Sequence, residues 1–303
     1  MNDTTEVISV MLVYKPVKAL LSMLPCLLCL YVNCIMMFVL LRKPLLLESP
    51  RYILFGHLLL TDSLQLLIAM LLYIFALTMV TMMSYVCVII SICASITHKM
   101  SPMTITVMSL ERYVAICFPL RHADVVTARK TSVVIAVMWT VVTLESFVDL
   151  FVFVSYDHMG VTLPRICRAN PVLQLQVYYS VHRAIKIVFF VSVSMIVIYT
   201  YISIMLTVKS ASSNVRNATK AHKTVLLHLL QLCMCLTSTL FMMINTSSKW
   251  NVSPAVAIDI QYALFVALII FPKCLSPLIY GLRDHTFRRV FKYYFTFGFK
   301  IKP

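Results

Sequence analysis

With 303 residues, 61% of them hydrophobic and 12% charged, and a mean hydropathy of +0.91, the chain is too apolar for a water-soluble domain, in which about half the residues are apolar and about a quarter charged. Four glycines and 12 scattered prolines exclude collagen-like and low-complexity architecture, and the apolar runs are longer than membrane strands require. The formal charge of +15 is divided among separate loops, a distribution that speaks for membrane topology rather than nucleic-acid binding.

Taken in order, Met1 to Glu6 lacks a basic region and a short apolar core, so no cleavable signal peptide is expected and the first helix acts as its own insertion signal. Asn2 heads a glycosylation sequon, as do Asn245 and Asn251, and these agree with an outside N-terminus; the sequon at Asn217 falls on the inner side and is discounted. Apolar segments of spanning length, about 20 residues or more, cover 17–41, 52–76, 87–115, 131–153, 178–208, 224–245 and 256–280. Seven spans put the two termini on opposite faces.

The basic residues settle which face is which. Arg42, Lys43 and Arg51, then Arg121, Arg129 and Lys130, then Lys209, Arg216, Lys220 and Lys223, then Arg283, Arg288, Arg289 and Lys292 lie beside alternate membrane ends. The positive-inside rule therefore places the N-terminus outside and the C-terminus in the cytoplasm of a multi-pass plasma-membrane protein. The same charges attract anionic lipid or an acidic cytoplasmic partner. Over 283–297, Arg288, Arg289 and Lys292 alternate with Phe287, Phe291, Tyr294 and Phe295, the pattern of an amphipathic helix on the inner membrane surface. The expected fold class is an all-α membrane protein, a seven-transmembrane helix bundle with a short amphipathic C-terminal helix, forming a single domain over 1–303.

Of the cysteines, Cys26, Cys29, Cys34, Cys93, Cys233, Cys235 and Cys274 fall inside spans, where a thiol behaves as a small apolar side chain, and Cys117 lies near the inner face. Cys87 and Cys167 lie at the outer, oxidising face, and a disulfide between them is the economical reading. No Cys or His spacing suggests a metal site, and no nucleophile has a base beside it, so neither a cofactor nor an enzymatic reaction is expected.

At the end of the third span Glu111, Arg112 and Tyr113 place an acid and a base side by side near lipid, where charge is costly and by default functional. Cys87 and Arg112 are 25 residues apart, roughly 37 Å along a helix, which puts them at opposite faces of one bilayer.

That combination resembles the rhodopsin-like G-protein-coupled receptors, with further matches at Asn33, at Leu58 to Asp62, at Trp139, at Tyr201 and at Ser276 to Tyr280. Within that superfamily the chain is most similar to odorant receptors of the fish type, through Met108 to His122, Lys220 to Thr224 with His228 and Leu229, and Pro277 to Asp284. The resemblance implies a small-molecule odorant and a heterotrimeric G protein of the stimulatory olfactory type as partners. It also implies that Glu111 holds Arg112 at rest and that Tyr201 and Tyr280 close around Arg112 once helix six swings outward.

The departures matter as well. Ser276 stands where the family usually has Asn, the fifth span has no central proline, and Lys273 lies one turn before Pro277. In many such receptors a sodium ion sits beside the acid corresponding to Asp62, in a polar network to which Asn33, Ser101, Lys273 and Ser276 correspond. The expectation is that the Lys273 ammonium takes the ion's place and pairs with Asp62, because an unpaired charge at that depth is costly.

The outer half of the bundle, where this family binds ligands, carries His98, Lys99, Glu145, Asp149, His182, Arg183, Lys186 and Tyr262. Two readings stand side by side. Lys99 pairs internally with Glu145 or Asp149, or else Lys99 or Lys186 serves as counter-ion for an acidic, water-soluble odorant. A metabolite or peptide receptor of the same fold is the alternative function. A transporter would show repeated halves, which are not found here.

Overall fold

The fold is described by a computed structural model that covers residues 23–42, 44–78, 81–156, 164–166 and 176–211, together with positions 226, 229–230, 233–234, 236–238, 240, 260, 263–264, 266–275 and 277. Helix α1 is Met23–Arg42, and α2, Pro50–Thr78, starts on a proline whose missing N–H costs nothing in a first turn. Helix α3, Ser84–Cys117, carries Pro102 in its interior. Phe118 closes α3 by donating its N–H to the Val114 carbonyl, and α4, Pro119–Val125, follows at once. Helix α5 is Ala128–Tyr156, α6 is Gln176–Ala211, and α7 is the apolar helix Val266–Leu275.

Five of these helices are long and apolar enough to cross a membrane: α1, α2, α3, α5 and α6. Without water in the bilayer core each backbone N–H and C=O must be met inside the segment, which only a continuous helix provides. Their outer surfaces agree. Along α5 the exposed side chains include Val133, Val137, Val141, Leu144, Val148 and Phe151, and along α6 they include Val181, Ile185, Val188, Met195, Tyr199, Ile202 and Leu206. An apolar stripe of that length, with Phe151 72% exposed, is what a lipid-facing helix presents.

The buried side is organised around α3, which packs on α2, α5 and α6. Met36 and Leu40 of α1, Phe55 and Leu58 of α2, Ile105 and Met108 of α3, and Val193 and Val197 of α6 form one core cluster. A second cluster joins Cys26 and Cys29 of α1 to Leu66 of α2 and Ile270 of α7, and a third joins Met100 of α3 to Met138 and Val142 of α5.

Three features depart from the expectations. A two-stranded antiparallel ribbon, β1 (Thr81–Met83) with β2 (Pro164–Ile166), pairs Thr81 with Ile166 at the N-terminal end of α3, so the outer loop is not purely irregular. Helix α4 forms from the stretch after the Glu111–Arg112 motif because Pro119 pre-sets the first turn. Cys29 and Cys274, expected as separate apolar thiols, lie against one another where α1 meets α7. Their separation of 245 residues gave no sign that the first and last spans are neighbours. The expected surface helix 283–297 lies outside the described residues.

Candidate functional site

Three polar rungs cross from α2 to α3, and their positions follow from helix geometry. On α3 His98, Ser101 and Thr104 recur every three residues, so they share one face. On α2 their partners are Gln65, Asp62 and His57.

The middle rung is charged. Ser101 Oγ donates to Asp62 Oδ1 at 2.5 Å, and Lys273 Nζ of α7 donates to the same oxygen at 2.5 Å and to Ser101 Oγ at 3.1 Å. Asp62, Ser101 and Lys273 are all buried. The closed triangle gives the carboxylate two donors and the ammonium two acceptors, which is how a buried ion pair offsets its desolvation.

The inner rung fixes a tautomer. An indole N–H can only donate, so the 2.9 Å contact from Trp139 Nε1 makes His57 Nε2 an acceptor. The His57 proton then resides on Nδ1 and is donated to Thr104 Oγ1 at 3.0 Å, and Thr104 passes its own proton to the Met100 carbonyl at 2.8 Å. A neutral imidazole thereby connects α5, α2 and α3.

The outer rung is Gln65 with His98, Nε2 to Nδ1 at 3.0 Å. Beside it Lys99 reaches across to Glu145 of α5 at 2.7 Å, so Lys99 takes the internally paired arrangement. Arg183 is exposed on α6, which takes it out of this cluster. The side chains of Asp149 and His182, and all of Tyr262, lie outside the described residues.

At the other end of α3, Glu111 Oε2 faces Arg112 Nε at 3.4 Å, and Glu111 Oε1 faces His122 Nε2 of α4 at 3.6 Å. Tyr113 meets Tyr199 of α6, hydroxyl to hydroxyl at 3.3 Å, whereas Tyr201 lies half-buried on the same helix. Ser109 and Cys117 of α3 also contact α6, through Thr200 and Thr207.

One end of a membrane-spanning helix thus carries a polar cluster and the other a charged pair, and the family model described as 7 transmembrane receptor (rhodopsin family) matches residues 19–280. The chain belongs to the rhodopsin family of seven-transmembrane receptors. It is therefore a membrane signalling receptor rather than an enzyme. Odorant receptor 131-2 of Danio rerio is 33% identical over 285 residues, covering 88% of this chain and 82% of that one. Olfactory receptor 6C6 of Homo sapiens is 28% identical over 192 residues, covering 61% and 59%. Growth hormone secretagogue receptor type 1 of Rattus norvegicus is 45% identical over 71 residues, covering 22% and 19%.

In this receptor Cys87 is disulfide-bonded at the head of α3, and Cys167, the partner expected for it, lies outside the described residues. So do Asn2, Ser276 and Tyr280. Pro277 is buried. Asn33 is buried on α1, yet its amide makes no hydrogen bond among the described residues, so it is not joined to the Asp62 triangle by a direct contact. Sequence reasoning passed over His57, Gln65, Thr104, His122 and Tyr199. The spacing of three on α3 was the available signal for Thr104; nothing in the sequence distinguished His57 from an ordinary core histidine.

Proposed function

We propose that this receptor is an odorant receptor of the plasma membrane, with its N-terminus outside, that binds a small, water-soluble odorant in the outer half of the bundle and activates a stimulatory olfactory-type G protein. The observation that carries the reading is the cluster of Gln65, His98, Lys99 and Glu145, in which Gln65 and Lys99 are buried, with His98 and Lys99 on the same helix as the Glu111–Arg112 pair. Similarity to an odorant receptor along 88% of the chain supports it. A ligand that favours one arrangement of the helices shifts that pair with it, because binding energy that differs between two states moves their equilibrium.

An acidic odorant would have to compete with Glu145 for Lys99. At the middle rung, the Lys273 ammonium fills the role that a sodium ion has in receptors this chain resembles. The 2.5 Å contact to Asp62 supports that assignment, and a second cation there would meet repulsion rather than an open carboxylate.

The test is to express the chain with an olfactory-type G protein and record cyclic AMP against acidic, basic and neutral odorants. Silence from every odorant, with the receptor verified at the cell surface, overturns the odorant reading. A peptide or metabolite receptor is the second reading, favoured by the 71-residue similarity to a secretagogue receptor; a response to peptides or metabolites in the same assay would select it.

A further inference from the structure

We propose that the Gln65–His98 rung reads a neutral ligand group that both donates and accepts hydrogen bonds, a primary carboxamide being the simplest. The inference rests on the odorant-receptor reading and gives its binding site a chemical class.

Gln65 Nε2 and His98 Nδ1 satisfy one another at 3.0 Å, but Gln65 Oε1 and His98 Nε2 are buried and have no partner among the described residues. With Gln65 donating, the His98 proton sits on Nε2, and the rung presents a free N–H donor and a free carbonyl acceptor. With the amide turned over, His98 Nδ1–H donates to Gln65 oxygen, Nε2 becomes the free acceptor and the amide nitrogen the free donor. Either way, one donor and one acceptor remain.

Charge narrows the class. Lys99 is neutralised by Glu145 and Lys273 by Asp62, so neither carboxylate is left to attract a basic ligand. A carboxylate would take the donor but leave the acceptor buried and unmatched, a loss of about ten-fold or more in affinity. A neutral carboxamide matches both. Because Gln65 and His98 stand one helical turn outward from Asp62 and Ser101, a ligand seated on them reaches the charged triangle through a single turn of α2 and α3.

The experiment uses the full-length receptor in the cyclic AMP assay, with hexanamide, hexanoate, hexylamine and hexanal and their shorter and longer straight-chain homologues. The wild type should respond at lowest concentration to amides. Gln65→Met, close in volume, should raise the amide concentration needed by about ten-fold or more while leaving the aldehydes less affected, and Gln65→Glu should move the preference toward amines. A wild-type order led by carboxylates or amines overturns the proposal whether or not the variants reach the surface. An equal shift for every ligand in Gln65→Met also overturns it, and marks the rung as the seat of a structural water. Silence of the wild type to the whole series overturns the odorant reading and this one together, whereas strong responses indifferent to both Gln65 variants overturn this one alone.

Discussion

Lys273 and Asp62 form a pair whose separate removal should cost far more than its joint replacement. Truncating either partner leaves the other charge buried, at a cost of about 3–5 kcal/mol, so Lys273→Ala and Asp62→Ala should each sharply reduce surface expression. Asp62→Asn combined with Lys273→Met should recover much of it; no recovery, measured by surface labelling, would mean that the two residues act separately. The same contact should make ligand potency indifferent to sodium, and a sodium-dependent loss of agonist affinity would contradict the assignment. This pair was legible because the resemblance to rhodopsin-like receptors brings the positions of two lone opposite charges together, and charges buried in apolar spans invite pairing. His57 was not, since a half-buried histidine on an apolar helix has no distinctive spacing, and only the approach of Trp139 at 2.9 Å gives it a role. His57→Phe should leave the Trp139 N–H unmatched and cost about 1–3 kcal/mol, read as a lower thermal midpoint of the purified receptor. An unchanged midpoint would mean that the indole finds another acceptor.

Helices α2 and α1 approach closely at Gly56, where an added Cβ would stand 2.7 Å from Leu40 Cδ2. Leu40 is buried in the principal core and has little room to yield, so Gly56→Ala should destabilise the receptor by about 1 kcal/mol and Gly56→Phe should prevent surface expression. A fully expressed Gly56→Phe would show that α1 can move away. The helices themselves were readable: apolar length places α2, α3, α5 and α6, and each runs two or three residues past the expected apolar limits because polar ends such as Ser84 and Ala128-Arg129-Lys130 continue the backbone ladder. What hydropathy cannot convey is which helices touch. The Cys29–Cys274 contact between α1 and α7 and the ribbon of β1 with β2 both depend on segments far apart in sequence, and short-range periodicity carries no information about such pairs. The outer cluster was only half legible for the same reason. Lys99 and Glu145 could be named as candidates, but their choice of each other depends on how α3 lies against α5.

Across the described residues, α3 connects the Gln65–His98 cluster to the Glu111–Arg112 pair at its other end, and that end is held at more than one point. Glu111 faces Arg112 along α3 and His122 from α4, while Tyr113, Ser109 and Cys117 bind the same end of α3 to α6. If Glu111 restrains Arg112 in the resting state, neutralising it removes the ionic contact with Arg112 and weakens the approach to His122 while keeping the side-chain shape. Glu111→Gln should then raise basal cyclic AMP several-fold in cells carrying the olfactory-type G protein, since each 1.4 kcal/mol withdrawn from the resting state changes the ratio of states by about ten. His122→Ala removes one contact and should raise it less. Arg112→Ala should abolish signalling, basal and stimulated, with expression retained. The order of basal activity distinguishes a restraint from a structural role: Glu111→Gln above His122→Ala above wild type follows from a latch held at two points. A fall in basal signalling with Glu111→Gln would mean that the carboxylate supports the active arrangement, and Arg112 would then answer to some other partner at rest.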